Sequence, residues 1–460
     1  MAEANTPSPR TMPLRVAVVG SGPSGFYTTE ALIKSGQPVI VDLFERLPAP
    51  YGLVRYGVAP DHPKLKQAIQ VYEKIAQSPQ FNFVGNVTVG RDLSVDELRH
   101  AYHAVVLTCG AEADRRLGVT GEDLPGSHTA TEFVGWYNGH PDYRDRVFDL
   151  SHEVAVVIGQ GNVAADVARV LAKTVDELRT TDIAAYALDV LAESAVREIH
   201  VIGRRGPAQA KFTPKELREF VELADCQARV NVDELDLNAA SEAEVADKGN
   251  ANARKNIALF QKFAQADPAD KRRQCYFRFL KSPTALFGTE RLEAVELETN
   301  RLSGEPFAQS AQGAGVIQTL DCGILFRSIG YRGMPMAGVP FDERRGVFSN
   351  RDGRIQDERG VVPGLYTAGW IKRGPTGIIG TNRADSVATV EALLADVEAL
   401  QSSGAKPGAD AFYPVLAERG VRVVSFSDWE KIDAAEIARG VPQGKPREKF
   451  ARVEEMLSQL

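Results

Sequence analysis

Two glycine-rich turns in the chain have the spacing that binds a dinucleotide. The first, Gly20-x-Gly22-x-x-Gly25, follows an apolar run at residues 15–19 and precedes a predicted helix at 26–35. In this pattern the first glycine permits a tight turn, the second lets the backbone approach a pyrophosphate, and the third lets the helix pack on the strand. The helix N-terminus adds unpaired N–H groups and a partial positive charge. We therefore expect a nucleotide here; the alternative is a glycine-rich loop without a ligand.

An acidic residue closes the next predicted strand of this first unit. The strand spans residues 38–45 and ends at Glu45. A carboxylate in this place can accept hydrogen bonds from the hydroxyl groups of a ribose diol. The alternative is a solvated carboxylate at a strand end, and the preceding glycine turn favours ribose binding.

The second glycine turn is followed by the opposite charge. Gly159-x-Gly161-x-x-Ala164 comes after a predicted strand and opens a helix, and the next strand leads to Arg204 and Arg205. Two cations suit the 2′-phosphate of NADP and offer no acceptor to a 2′-hydroxyl. The sequence therefore predicts NADP in preference to NAD, the alternative being a solvated strand end. The long stretch between turn and arginines indicates an inserted helical segment at 176–195.

Glycine and proline also shape three other segments. Closely spaced glycine and proline in residues 49–63 predict an ordered loop without a helix. We expect this loop to pack on a ligand or another domain. His62 lies within it and is by itself an ordinary loop histidine. Residues 372–382 predict a glycine-rich turn before a helix at 384–400, which is another helix N-terminus suited to negative charge. Residues 213–216 have the Thr-Pro-x-Glu spacing of a capping box, which gives Glu216 a structural role without precluding contact with a ribose or an amide.

Composition narrows the class of protein. The chain has 460 residues, enough for two or three domains, and its net charge of -7 argues against general nucleic-acid affinity. No apolar run approaches the roughly 20 residues that span a membrane. The four cysteines form no CxxC pair, so we expect free thiols in a reducing compartment and neither a metal site nor a dithiol motif.

Residues 1–13 predict a disordered tail, and a basic run at 445–452 predicts a solvated face or, alternatively, a docking surface for an acidic partner.

Taken together, these motifs closely resemble the adrenodoxin-reductase-like ferredoxin–NADP reductases. The resemblance rests on both glycine turns and on segments 51–63, 203–207 and 369–382, and it covers nearly the whole chain after residue 13. Gly369 is followed by Trp370, where other flavoproteins of this fold place an acidic residue. This departure favours the narrower family over disulfide and thioredoxin reductases.

The resemblance implies an α/β fold of the glutathione-reductase type with two Rossmann-like dinucleotide-binding domains. An FAD-binding domain would comprise residues 14–113 and 333–460, and an NADP-binding domain of residues 114–332 would be inserted into it. Motif matching implies FAD contacts at Gly20, Gly22, Ser24, Gly25, Glu45, Leu53, Val87, Trp370, Gly377, Ile378 and Ile379. It implies NADP contacts at Arg115, Gln160, Gly161, Asn162, Val163, Arg204, Arg205, Glu216 and Gly377, and residues that tune the redox step at His62 and Glu219.

The implied activity is that of a reversible, FAD-dependent ferredoxin–NADP(+) oxidoreductase. Hydride would pass between NADPH and FAD, followed by single-electron transfer to an iron–sulfur ferredoxin, for example one that supplies a cytochrome P450. Lys211, Lys215 and Arg218 are candidate ferredoxin contacts. We expect a cytoplasmic monomer without a nucleic-acid partner. The alternatives are an NADPH-dependent flavoprotein reductase of a small molecule, such as a quinone or an imine, and a non-catalytic module that senses NADP(H).

Overall fold

The first of two main sheets is built from both ends of the chain. The computed structural model describes residues 12–267, 269–377 and 379–460. Seven strands form this sheet in the order β18-β19-β20-β4-β1-β2-β3, parallel except at the β18–β19 and β19–β20 pairs. The strands are β1 (Leu14–Val19), β2 (Val39–Phe44), β3 (Phe81–Val84), β4 (Ala104–Leu107), β18 (Asn350–Arg351), β19 (Arg354–Asp357) and β20 (Gly360–Thr367).

The second main sheet comes from the middle of the chain and is parallel throughout. Its order is β6-β14-β7-β8-β10-β9. Parallel sheets are covered on both faces, and β7 accordingly has four consecutive buried residues. The strands are β6 (Ser127–Thr129), β7 (Val154–Ile158), β8 (Glu198–Ile202), β9 (Cys226–Val230), β10 (Arg273–Arg278) and β14 (Ile324–Arg327).

The chain crosses between the two sheet units twice, and the two crossings pair with each other. β5 (Ala113–Asp114) is antiparallel to β15 (Tyr331–Arg332). The second unit is therefore inserted into the first, which is the predicted fold class. The remaining strands are β11 (Lys281–Phe287), β12 (Ala294–Ser303) and β13 (Ser310–Asp321), which form an antiparallel sheet, and the pair β16 (Phe341–Asp342) and β17 (Val347–Phe348).

Helices cover the main sheets, and several of them start at residue types expected of helix caps. Ser94, Thr129, Thr174 and Ser425 each form a complete capping box. No helix in the described part of the chain is long and apolar enough to cross a membrane. The helices are α1 (Pro23–Ile33), α2 (Gly52–Tyr56), α3 (Pro63–Lys66), α4 (Ile69–Ala76), α5 (Val95–Ala101), α6 (Ala130–Tyr137), α7 (Asn162–Ala172), α8 (Val175–Leu178), α9 (Ala185–Ala192), α10 (Pro214–Glu219), α11 (Ala239–Ala246), α12 (Ala251–Gln265), α13 (Trp370–Arg373), α14 (Thr381–Ala395), α15 (Val397–Gln401), α16 (Tyr413–Glu418), α17 (Phe426–Gly440) and α18 (Val453–Leu457).

Some local predictions were wrong, chiefly where glycine or proline begins a helix. The segment 49–63 contains the short helix α2, because Gly52 adopts φ +47° at its start. Pro63 occupies the first position of α3, where its missing N–H costs nothing. The inserted helical segment at 176–195 is confirmed as α8 and α9. Residues 1–11 of the predicted tail lie outside the described residues.

Candidate functional site

The first glycine turn leaves the N-terminus of α1 open. Gly20 has φ +104°, and a side chain there would place its Cβ 2.8 Å from the Thr108 backbone oxygen. A Cβ on Gly25 would lie 2.0 Å from the Gly20 oxygen, so the helix packs directly against the turn. Gly22 is the N-cap of α1, without a side-chain cap and with open space beside it. The exposed N–H groups at this turn therefore fit a phosphate.

Glu45 is held at the edge of the same turn. Its Oε2 accepts hydrogen bonds from the backbone N and the Oγ of Ser21, at 3.0 and 2.6 Å, and its Oε1 accepts one from Leu47 N at 3.1 Å. An ionised carboxylate has about four lone-pair positions, so acceptor capacity remains for ribose hydroxyls. Val87 donates its N–H to the Glu45 backbone oxygen, but its side chain is buried in the core, so only its backbone can face a ligand.

The aromatic segment after Glu45 packs on the turn. Tyr51 adopts φ +85°, unusual for a residue with a side chain, and its N–H donates to Ser21 O at 3.1 Å. A Cβ on Gly52 would lie 2.9 Å from Gly22 Cα. Leu53, next along the chain, has 48% of its surface exposed. Such an apolar side chain beside an open helix N-terminus fits a ligand surface.

The C-terminal part of the chain returns to the same turn. A Cβ on Gly369, which has φ +80°, would lie 2.1 Å from Ser24 Oγ. Trp370 stacks on Tyr331 with ring centroids 5.8 Å apart. Its Nε1 is buried and has no hydrogen-bond partner among the described residues, so it is a donor that a ligand oxygen could satisfy.

The glycine-rich segment that follows is described except for one predicted contact. Gly377 has φ +86°, which suits a glycine, and a Cβ there would lie 2.2 Å from Thr381 Oγ1. Ile379 packs against the core of the first unit. Ile378 lies outside the described residues. The segment precedes α14, which packs on α1 through the hydrogen bond from Ser386 Oγ to Ser24 O at 3.2 Å.

The second glycine turn repeats this geometry at α7. A Cβ on Gly159 would lie 2.1 Å from Ser328 O, whereas Gly161, the N-cap of α7, has open space and no side-chain cap. Gln160 is anchored through its Nε2 to Arg278 O at 3.2 Å. Asn162 Oδ1 accepts a hydrogen bond from Thr213 N at 2.8 Å. Val163, half-buried, packs against the core of this unit.

The predicted phosphate-binding arginines stand uncommitted at the end of β8. Arg204 is exposed and Arg205 half-exposed. Among the described residues, neither guanidinium forms an ion pair. Arg115 is also exposed, and its Nε donates to Tyr331 O at 3.3 Å. The second unit thus presents exposed guanidinium groups without an ion pair in the described part of the chain where the first presents an anchored carboxylate, although Arg205 also acts through its charge on the buried Glu244.

A charged cluster joins the two units at His62. The His62 Nε2 lies 2.7 Å from Glu219 Oε2 and 3.4 Å from Glu216 Oε2. Arg169, fully buried, binds Asp61 through Nε at 2.6 Å and also contacts Glu216 at 3.3 Å. His62 and Glu219, which the resemblance implies tune the redox step, are therefore in direct contact, although they are 157 positions apart.

Proton affinity in this cluster is set by an excess of carboxylates. Burial alone would lower the pKa of His62, but the hydrogen bond to Glu219 and the charges of Asp166 and Glu216 raise it. Burial raises the pKa of Glu216, and the charge of Asp166 adds to this. Burial opposes ionisation of Glu219 too, but the His62 hydrogen bond and Arg169 lower its pKa. The arrangement favours a protonated imidazole on an ionised Glu219.

One expectation about these residues needs correction, and two residues of the cluster were not predicted. Only half of the capping box at α10 forms: Thr213 Oγ1 accepts from Glu216 N, while the Glu216 carboxylate turns to Arg169 and His62. The sequence reading also missed Arg169 and its partner Asp166, 2.7 Å away on α7. A charged pair inside an otherwise Ala- and Val-rich helix was the available signal.

The C-terminal basic run is only partly exposed to solvent. Lys445 and Lys449 are 5% and 3% exposed. Arg447 and Arg452 each pair with an aspartate. The expectation of a solvated face is therefore wrong for Lys445 and Lys449, which are used inside the molecule, whereas Arg452 is exposed. The alternative, a docking surface for an acidic partner, stays a prediction.

Known proteins share this architecture over nearly its whole length. The chain is 45% identical over 468 residues to the mitochondrial NADPH:adrenodoxin oxidoreductase of Salvelinus fontinalis, covering 98% of this chain and 92% of that protein. It is 43% identical over 451 residues to the NADPH-ferredoxin reductase FprA of Mycobacterium leprae, covering 96% and 97% of the two chains. No protein-family model matches the chain.

The structural comparison agrees with the sequence comparison. The solved structure of Mycobacterium tuberculosis FprA in complex with NADPH matches with a TM-score of 0.91 at 41% identity, covering 97% of this chain and 99% of that one. The chain belongs to the adrenodoxin-reductase-like ferredoxin–NADP reductases. It is an FAD-dependent oxidoreductase of the glutathione-reductase fold that uses NADP(H) and exchanges electrons with a ferredoxin.

Proposed function

We propose that the first unit is the FAD site and the second the NADP(H) site of this reductase. The observation that carries the proposal is the contrast between two sites. Glu45 is anchored by Ser21, whereas the guanidinium groups of Arg204 and Arg205 form no ion pair among the described residues. A carboxylate accepts from a diol, whereas two cations bind a 2′-phosphate. The FAD site would comprise the N-termini of α1 and α14 and the segment from Trp370 to Ile379. The buried Trp370 Nε1 would donate a hydrogen bond to the cofactor.

The protein contributes orientation and electrostatics to the reaction. When bound, FAD supplies the chemistry that accepts a hydride from NADPH and releases electrons one at a time. Arg204 and Arg205 would hold the phosphate end of NADPH, and the N–H groups at Gly161 would hold its pyrophosphate. His62 and Glu219 would stay hydrogen-bonded and hold a proton on the imidazole at the junction of the units. Their role is to tune the redox step, since a hydride transfer requires no obligatory proton carrier.

We propose that an acidic ferredoxin docks beside this junction. Lys211, Lys215 and Arg218 are all exposed on or next to α10, the helix that ends at Glu219. Complementary charge would steer the ferredoxin and set its orientation. Because Lys445 and Lys449 are buried, α10 is the proposed basic surface.

We also propose the domain boundaries and the setting in which the enzyme works. The paired crossings β5 and β15 support an FAD domain of residues 14–113 and 333–460 and an NADP domain of residues 114–332. Both proposed nucleotide sites are formed within one chain, which supports a monomer. The net charge of -7 is consistent with the absence of a nucleic-acid partner, and four free cysteines are consistent with the cytoplasm.

Purified protein distinguishes this function from its alternatives. The proposal predicts a yellow protein that NADPH bleaches without oxygen, and cytochrome c reduction that depends strongly on added ferredoxin. A protein without bound flavin would indicate an NADP(H) sensor. Rapid turnover of a quinone with no response to ferredoxin would instead indicate a small-molecule reductase.

A further inference from the structure

The loop between α8 and α9 carries a buried aspartate that binds two distant lysines. The Asp182 carboxylate accepts hydrogen bonds from Lys66 Nζ at 2.6 and 2.7 Å. Lys449 Nζ lies 2.8 Å from its Oδ2 and 3.2 Å from its backbone oxygen. One carboxylate of the insertion thus meets cations from both terminal parts of the chain.

A second pair of side chains extends this contact to the start of α9. Lys445 Nζ donates to Ile183 O at 2.5 Å and to the Glu448 carboxylate. Glu448 Oε1 accepts the N–H of Ala185, the first residue of α9, at 3.0 Å. The N-cap of α9, Ala184, has no side chain that could accept a hydrogen bond. Glu448, 263 residues away, therefore supplies the cap and the favourable negative charge.

These contacts bridge the two sheet units. Ile183 and Ala184 belong to the hydrophobic core of the second unit, whereas Phe450 belongs to that of the first. Lys66 is the last residue of α3, the single-turn helix that follows His62. The insertion, the C-terminal segment and the His62 region are therefore joined at one place.

Burying these charged side chains costs free energy through desolvation. A buried ion pair is often no more stabilising than apolar residues of the same size, because desolvation offsets the attraction. Here each lysine is matched to a particular oxygen of residues 182–183 or to Glu448, so the contact fixes both distance and direction. Such pairing specifies one relative position of the packed segments.

We propose that Lys66, Asp182, Lys445, Glu448 and Lys449, named here the lysine clasp, are positioning residues that hold the NADP unit at the correct distance from the FAD unit. The proposal rests on the proposed function. It gives the insertion at 176–195 and the segment 445–449 a role in hydride transfer.

The test compares Lys449→Met with the matched control Arg452→Met. Arg452 also bridges the units, pairing with Asp145, but that pair is exposed, so its loss is expected to change little. In the holoenzyme, Lys449→Met is expected to slow anaerobic flavin reduction at saturating NADPH by about 10- to 100-fold, because small displacements of reacting groups have effects of this size. Binding of NADP(+) is expected to stay within about twofold, because this variant leaves Arg204 and Arg205 in place.

A second readout does not depend on turnover. Hydrogen–deuterium exchange of amides 183–188 is expected to accelerate in Lys449→Met and not in Arg452→Met, since opening of the clasp frees the start of α9. The double variant Asp182→Asn/Lys449→Met is expected to slow reduction by less than the product of the two single effects, because the two residues contact each other. If Lys449→Met does not fold, Glu448→Gln provides the same comparison.

The outcomes distinguish failure of the positioning role of the lysine clasp from failure of the proposed function. Faster exchange at 183–188 with unchanged reduction would show a purely structural contact and overturn the positioning role. Unchanged exchange and unchanged reduction would also overturn it. Failure of NADPH to reduce the flavin of the unmodified protein would instead refute the proposed function, and the exchange comparison would still report whether the clasp holds α9.

Discussion

Replacing both arginines at the end of β8 separates phosphate recognition from every other part of NADPH binding. The double substitution Arg204→Ala/Arg205→Ala removes two cations that form no ion pair among the described residues. Few internal contacts are therefore lost, although the Arg204 and Arg205 backbone oxygens accept hydrogen bonds from Asn300 and Leu280, which alanine retains. We expect folding to be preserved and the effect to fall on the ligand.

The size of the effect follows from the exposure of the two side chains. A hydrogen bond to a charged group contributes about 1.5–3 kcal/mol, and the lower value applies to exposed groups. Two such contacts give about 3 kcal/mol, which corresponds to roughly a 100-fold rise in KM for NADPH at about 1.4 kcal/mol per tenfold. NADH has no 2′-phosphate, so its KM is expected to change by less than about threefold.

Steady-state reduction of ferricyanide by NADPH and by NADH measures both constants with the same enzyme. Arg301→Ala, an exposed arginine on β12, is the matched control and is expected to change neither KM. The reasoning is refuted if the double variant raises both constants equally, or if the KM for NADPH does not change. In either case Arg204 and Arg205 would be ordinary solvated side chains.

Three further predictions concern charge and burial elsewhere. Burial and nearby cations lower the pKa of Lys449 to about 7, so between pH 7 and 10 the unfolded chain binds a proton that the folded chain lacks. Stability relative to Lys449→Met should therefore rise with pH by up to about 1.4 kcal/mol per unit, and parallel urea midpoints from pH 7 to 9 would contradict this. Burial raises the pKa of Cys226 and Cys322 to about 12 and that of Cys275 well above its usual value, so these three buried thiols should react with Ellman's reagent at pH 8 only after denaturation; rapid labelling of all four cysteines in the native protein would disagree. Ferredoxin-dependent activity should fall as salt rises, since charge docking is screened beyond about 8 Å at physiological ionic strength, and a flat salt profile would exclude it.

The glycine turns and the arginines could be predicted from the sequence, because they depend on residues that are close together in the chain. Gly20 and Gly159 must be glycine because each has positive φ and faces a backbone oxygen at less than 3 Å from a potential Cβ. Their strands and helices adjoin them in the chain, so local pattern was sufficient. Arg204 and Arg205 follow a strand directly, and their exposure agrees with the expectation that they are available to a ligand.

Features that depend on distant segments could not be predicted in the same way. Lys449 resembles a surface lysine in sequence, but its partner Asp182 lies 267 residues earlier. Arg169 binds Asp61 across 108 residues, so nothing near either residue shows that both are buried. Gly52 was read as a helix breaker, yet its positive φ lets α2 begin beside the first glycine turn. The predictions therefore differ from the structure where residues pair across long stretches of chain and where glycine begins a helix.

The central claim is that this chain carries electrons from NADPH to a ferredoxin through one bound FAD. Its most direct test is anaerobic titration of the purified protein with NADPH, followed by addition of oxidised ferredoxin. The account predicts loss of the flavin absorbance with one equivalent of NADPH and its return as two equivalents of a one-electron ferredoxin are reduced. Flavin that stays oxidised with NADPH, or reduced flavin that ferredoxin cannot reoxidise, would contradict it.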